Sequence, residues 1–231
     1  MRWLPFAALC LLTACASANP TPRAAAPPPA SIGSEEASST PAPEPAPPPE
    51  PEPEPELDPV AAAIARAFIE RLTVWTRADG TRVLSRRCRE GPVDCEARLR
   101  TFARLIVATA RRHELDPYLF AALAMRESGL NPASLGARGE AGIVQLHPRG
   151  AGRDMRYVND SGYRDACQSQ LDACQGPVLE RGATYLAQAI RDCGGLEAGL
   201  GKYASGHCTT RGVHPRRVLQ ERQQLRRLGR P

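Results

Sequence analysis

Apolar residues recur at helical spacing in several stretches of the chain, each bounded by polar turns or by Gly and Pro. Val60, Ile64, Ala67, Phe68, Leu72 and Trp75 line one face of a helix over about 59–75, with Asp58 as its cap. Asp79-Gly80 marks a turn after it. Leu99, Phe102, Leu105, Ile106 and Ala110 place a second helix over about 96–113, where His113 complements the dipole at the C-terminal end. A third helix of about a dozen residues opens at Asp116, a capping residue, followed by Pro117, whose missing N–H costs nothing at the first helical position. Leu119, Ala122, Leu123 and Arg126 share its spacing, and Gly129 with Asn131-Pro132 stops it. Residues 150–174 show no period and read as irregular, with Tyr157 and Tyr163 suited either to a sugar cleft or to packing. Gly176-Pro177 opens a helix to Cys193 with Val178, Leu179, Tyr185, Leu186 and Ile190 as core, and a last helix spans about 215–228 over Val218, Leu219 and Leu225. No strand signal is convincing apart from 143–146.

Before the first helix the periodicity disappears. Residues 1–15 are apolar behind Arg2, too short to cross a bilayer, and read as a secretory signal. Leu12-Thr13-Ala14-Cys15 resembles a lipobox, which implies a 1–14 signal peptide and a lipidated Cys15. Ala16, rather than Asp, favours delivery to the outer membrane of a Gram-negative cell. Cleavage after Ala16-Ser17-Ala18 is the alternative and leaves a free periplasmic protein. Fourteen Pro among residues 20–57, ending in an alternating Pro-Glu run, keep that stretch an extended linker without a core. At about 3.1 Å per residue it reaches at most on the order of 120 Å.

Charge separates the same two regions. The linker holds seven Glu against Arg23, whereas residues 58–231 hold 28 basic and 18 acidic residues, net +10, behind a whole-chain value of +5. A basic surface favours an anionic polymer. A signal peptide, exported-type cysteines and the lack of any nucleic-acid motif argue against nucleic acid. At 174 residues the basic segment suffices for one well-cored domain, read as a helical extension over 58–99 and a core over 100–231. Of eight cysteines, Cys10 leaves with the signal and Cys15 takes the lipid. Cys88, Cys95, Cys167, Cys174, Cys193 and Cys208 remain, an even set that implies disulfides. Fifteen connectivities are open; the local pairs 88–95, 167–174 and 193–208 are the cheapest. A zinc site from Cys208, His207 and His214 competes, without Cys-x-x-Cys spacing to support it.

Candidate chemistry centres on Glu127 in the last turn of the third helix. The negative end of the macrodipole and partial burial both disfavour its charge, so it is suited to keep a proton near neutral pH and act as a general acid. Glu127-Ser128-Gly129, Asn131-Pro132-Ala133-Ser134 and Gly142-Ile143-Val144-Gln145-Leu146-His147-Pro148 resemble the catalytic signature of the soluble lytic transglycosylases, in the lysozyme-like superfamily. Gly182-Ala183-Thr184-Tyr185-Leu186 and Lys202-Tyr203-Ala204-Ser205-Gly206 continue the match, which spans roughly residues 100–228.

The resemblance implies a mainly α fold of the goose-lysozyme and lytic-transglycosylase type, with at most a short β turn region beside the active site. It implies peptidoglycan as substrate, a monomer, and no metal or organic cofactor. Glu127 is then acid and base, Ser128 orients the substrate acetamido group or the acid, and Gln145 binds substrate or fixes the turn. Gly142 belongs to the substrate-binding turn, and Tyr203 hydrogen-bonds Glu127. Two positions depart from the pattern: Ala204 replaces the usual Asn, and Glu140 replaces a small residue. A second carboxylate at Glu140 opens the alternative of lysozyme-type hydrolysis. A non-catalytic wall-binding lipoprotein is the other alternative, against which the intact Glu127, Ser128 and Gln145 argue.

Overall fold

A computed structural model describes residues 57–89 and 93–230. The expected signal segment, the lipidation site Cys15 and all of the linker but Leu57 lie outside these residues. Asp58 opens α1 (Pro59–Leu72) by accepting from the N–H groups of Val60 and Ala61 at 2.9 and 3.3 Å. The helix stops short of Trp75. Thr73, Val74 and Thr76, β-branched and poorly suited to a helix, instead form β1 (Thr73–Thr76), which pairs antiparallel with β2 (Arg82–Leu84) across the turn at Gly80. The hairpin leaves Trp75 exposed rather than in the core. It also stands where no strand was expected, whereas 143–146 forms turns with only isolated bridges.

The short α2 (Arg86–Arg89) leads to α3 (Cys95–Arg112), capped by Asp94. Arg98 is fully buried between them and donates to the Cys88 and Val93 carbonyls at 2.7 and 3.1 Å, satisfying backbone acceptors of the crosslinked loop. His113 caps α3 and meets Glu180 at 2.8 Å. The expected division at residue 100 falls inside α3.

At the centre is α4 (Pro117–Ser128), bounded by Asp116 and Gly129 as its caps foretell. Every residue from Leu119 to Met125 is buried, because α4 packs on both α3 and the last helix. Where irregular chain was expected stand α5 (Arg156–Asn159) and α6 (Ser161–Ala166), the latter capped by Asp160. Tyr157 is buried and donates to the Pro132 carbonyl at 2.7 Å, while Tyr163 carries the Arg156 guanidinium on its ring; both serve packing. α7 (Leu171–Asp192) begins before Gly176-Pro177 and takes the proline inside. Pro177 forfeits one backbone bond. The Cys167–Cys174 bond and Gln175, whose Oε1 accepts from Ile143 N, hold the leading turns in place.

α8 (Leu196–Ser205) carries no clear sequence signal, since Gly199 and Gly201 lower its helix propensity. They are needed for close packing: a Cβ on Gly199 would lie 2.6 Å from Ile190 Cα on α7. α9 (Val213–Leu228) starts two residues before Pro215 and runs along α1, α4 and α8. The disulfides are the three local pairs, with Cα atoms 5.4–5.7 Å apart. The fold is mainly α and lysozyme-like.

Candidate active site

Gly129 ends α4 in the left-handed conformation, its N–H bonded to Met125 O, and so fixes where the last turn points. Glu127 sits on that turn with its side chain 18% exposed. Burial, and then the charge of Glu140, push its carboxyl up to about 7 against the opposing pull of Arg126. Among the described residues the carboxyl accepts no hydrogen bond, so its charged form is poorly supported.

The loop after α4 folds into two tight turns facing this acid. Gly136 N bonds Glu140 O at 2.8 Å, and Ala141 and Leu146 exchange backbone bonds at 2.9 and 3.2 Å. Gly142 takes a left-handed φ of +80° against α7, where a Cβ would meet Val178 Cγ1 at 2.7 Å. It is therefore buried in the loop's base and does not line the cleft. Gln145, itself left-handed, spends both amide protons on the Ser134 and Gly142 carbonyls at 2.9 Å, fixing the turn. Ser128 is buried, its one hydroxyl proton shared between the Ala124 and Ile143 carbonyls at 3.2 and 2.9 Å, and its oxygen accepts from Leu130 N. It locks helix to loop and has no proton left for an acetamido group.

An open cleft of about 540 Å³ runs past Glu127, bordered by the loop at Glu140, Gln145 and His147 and by Tyr185, Tyr203 and 204–206 opposite. Tyr185, expected in the core, is half-buried on the cleft wall, its ring 5.4 Å from that of Tyr203. Tyr203 donates to Val144 O at 2.8 Å, so its proton holds the loop rather than Glu127. Burial, and next the neighbouring Glu127 charge, push this phenol above its usual range and keep it neutral. Beneath both, Gly182 lets Val144 lie directly on α7.

Glu140 shares the cleft with Glu127. Burial alone would raise its carboxyl, but N–H groups of its own backbone and of Arg138 (2.9 Å) hold it below the ordinary range. It stays ionised while Glu127 keeps its proton. A side chain at Gly136 would fall 2.3 Å from Glu140 Oε2, so the glycine makes room for the carboxylate.

His214, on the first turn of α9, places Nε2 3.3 Å from Glu127 Oε1. That distance suits an ion pair, yet no hydrogen bond of good geometry forms, and burial, then Arg126, hold the imidazole below its ordinary range. The pair is a neutral imidazole against a carboxyl. Sequence had offered His214 only as a zinc ligand; the thiolate of that proposal, Cys208, is bonded to Cys193 instead.

The Transglycosylase SLT domain family matches residues 104–222, a span that takes in Glu127, the double turn, Tyr203 and most of α9. The chain belongs to this family. No curated protein and no solved structure gives a significant match. Membership in the SLT family makes this a peptidoglycan-acting enzyme of the lytic transglycosylase or lysozyme-like kind. Within the matched span Glu127, Glu140 and Tyr185 line the cleft and His214 lies against Glu127, while Ser128, Gln145 and Tyr203 hydrogen-bond the loop beside them.

Proposed function

We propose that this protein is a lytic transglycosylase that cleaves the β-1,4 bond from N-acetylmuramic acid to N-acetylglucosamine and leaves a 1,6-anhydro-muramic end. The observation that carries this is Glu127: a largely buried acid on an open cleft, its carboxyl pushed up to about 7 and, among the described residues, without a Lys or Arg ion-pair partner. Such a group gives its proton to the leaving glycosidic oxygen and can recover one at the same pH. The substrate's 2-acetamido group supports the developing positive centre. Glu127, now a carboxylate, removes the proton of the muramic 6-hydroxyl, whose oxygen closes the anhydro ring at C1. The proton balance closes on one side chain, and no water is consumed.

Glu140 favours a second reading. As an ionised carboxylate on the same cleft it is suited to activate water, which would give lysozyme-type hydrolysis. Mass analysis of fragments released from purified sacculi separates the two. Anhydro ends, lighter by one water, support the transglycosylase; predominantly reducing ends promote Glu140 to base. Sacculus binding without released fragments would return the protein to a wall-binding role.

We further propose a monomeric periplasmic enzyme anchored at the outer membrane through lipid on Cys15. The Leu12–Cys15 pattern and the Pro/Glu tether support it. Membrane-fraction recovery unchanged by Cys15→Ser would remove the anchor from this account.

A further inference from the structure

The donors around Glu127 are almost all committed. Tyr203 gives its proton to Val144 O, Gln145 gives both of its protons to loop carbonyls, and Ser128 donates within the helix-loop junction. Glu140 can only accept. His214 alone among these neighbours keeps a buried ring nitrogen, Nε2, without a hydrogen bond, and that nitrogen lies 3.3 Å from Glu127 Oε1. Its position is not accidental slack. Pro215 is buried behind it, and α9 is clamped by Arg71 to Glu221 at 2.9 Å and by Arg226 to Asp116 at 2.9 Å. A buried polar nitrogen left unpaired costs free energy unless some state of the protein uses it.

We propose that His214 is a positioning residue which donates Nε2–H to Glu127 Oε1 while the acid is ionised, leaving Oε2 to exchange protons with substrate. The inference rests on the reading of Glu127 as the acid. When Glu127 gives up its proton, a carboxylate forms that, among the described residues, has no Lys or Arg within ion-pair distance. A neutral N–H donor strengthens as that charge appears and slackens when the proton returns, so it acts where the charge develops rather than in the resting state. No proton leaves His214, since that would create an imidazolate. Nor does it rest as a cation, because Arg126 on α4 and burial both oppose a second proton. A permanent cation there would hold Glu127 ionised and remove its acid function. Glu140, Arg138, His147 and Arg149 from the loop, Tyr185 from α7 and Tyr203 from α8 line the same cleft, and among the described residues none of them hydrogen-bonds or ion-pairs with Glu127.

The test begins with the unmodified protein. Imidazole ¹⁵N spectra of His214, followed through the titration of Glu127, are expected to show the Nε2–H tautomer and an Nε2 shift that tracks the carboxyl. A proton on Nδ1 alone, or a flat Nε2 response, overturns the proposal whatever reaction the enzyme catalyses. Variants supply the kinetic arm on defined glycan strands. His214→Leu, which keeps volume without a donor, is expected to lower kcat by about tenfold to a hundredfold with KM within about twofold. It should also move the carboxyl ¹³C midpoint of Glu127 upward. His214→Gln, which keeps an N–H, should recover most of the lost rate. Wild-type kcat in a folded Leu variant, or a Gln variant as impaired as Leu, overturns the proposal. Failure of the functional reading appears separately, as full cleavage by Glu127→Gln.

Discussion

The two ends of α4 each carry an acid that faces α9, and the two acids live in opposite worlds. Asp116 at the N-terminal end accepts from Tyr118 N at 3.0 Å and is flanked by the guanidiniums of Arg222 and Arg226. Among the described residues Glu127 at the C-terminal end has no guanidinium within ion-pair distance and meets the uncharged His214. Helix polarity points the same way: exposed N–H groups welcome a carboxylate at the first end, and exposed carbonyls repel it at the second. Asp116 is tied to α9 by two ion pairs, whereas burial, and then the charge of Glu140, favour the proton on Glu127. At the first end α9 presents two guanidiniums and at the second an imidazole.

The comparison breaks most sharply at Glu127. Glu127→Gln is expected to lower cleavage of sacculi by on the order of 10³-fold while the fold stays intact. Its effect on stability has a sign that follows from the titration. Glu127 binds its proton up to about pH 7 when folded and to about 4.5 when unfolded. The folded state thus loses stability as pH rises between those values, by on the order of 3 kcal/mol in all. Gln does not titrate, so the variant's melting temperature should exceed wild type increasingly from pH 4.5 to 7 and by a constant margin above. A melting difference that is flat across this window would mean Glu127 is not held protonated. The same titration predicts that wild-type activity falls as pH rises through about 7.

The Glu127 end depends on elements that the Asp116 end does not. Cys193–Cys208 ties the end of α7 to the segment between α8 and α9, with Tyr203 on one side and His214 on the other. Cys88–Cys95 closes a loop remote from the cleft. Each crosslink contributes roughly 2–3 kcal/mol by the chain-entropy argument. Replacing Cys193 and Cys208 by Ser should therefore slow cleavage severalfold beyond the Cys88/Cys95 double variant, compared at matched stability. Equal rates would show that the crosslink serves stability alone. A smaller effect is expected at Glu140, whose charge helps hold the proton on Glu127. Glu140→Gln should move the alkaline limb of the rate profile to lower pH, a loss of about two- to fivefold at pH 8, with anhydro ends retained.

The two ends of α4 were legible because each is written locally, as Asp116-Pro117 and as Glu127-Ser128-Gly129, whereas the pairing of Asp116 with Arg222 and Arg226 was not. Local crosslinks were legible too, since short loops close at little entropic cost. His214 was not. It lies 87 residues beyond Glu127 in sequence numbering, and only the antiparallel seating of α9 on α4 brings them together. Tyr203 was assigned to the right neighbourhood and the wrong partner, because spacing places a side chain but does not aim its hydroxyl. α8 was hidden by the glycines that let it touch α7, and β1 by an apolar spacing that continued past a β-branched run. In each case tertiary contact outweighed local propensity.

Asp116 sharpens the comparison from its quiet side. Asp116→Asn keeps a side-chain oxygen for Tyr118 N and removes only the charge. Its side chain and that of Arg222 are about a quarter exposed and that of Arg226 about half, so solvent already screens much of the attraction. The loss should be at most about 1 kcal/mol and should shrink as salt is added. Asp116→Ala also removes the cap, and about 1 kcal/mol more is expected. Neither change reaches the cleft, so kcat per folded molecule and the pH of the alkaline limb should stay at wild type. If Asp116→Asn moved that limb, the two ends of α4 would be coupled through the seating of α9, and the Asp116 ion pairs would be part of the mechanism that sets His214 against Glu127.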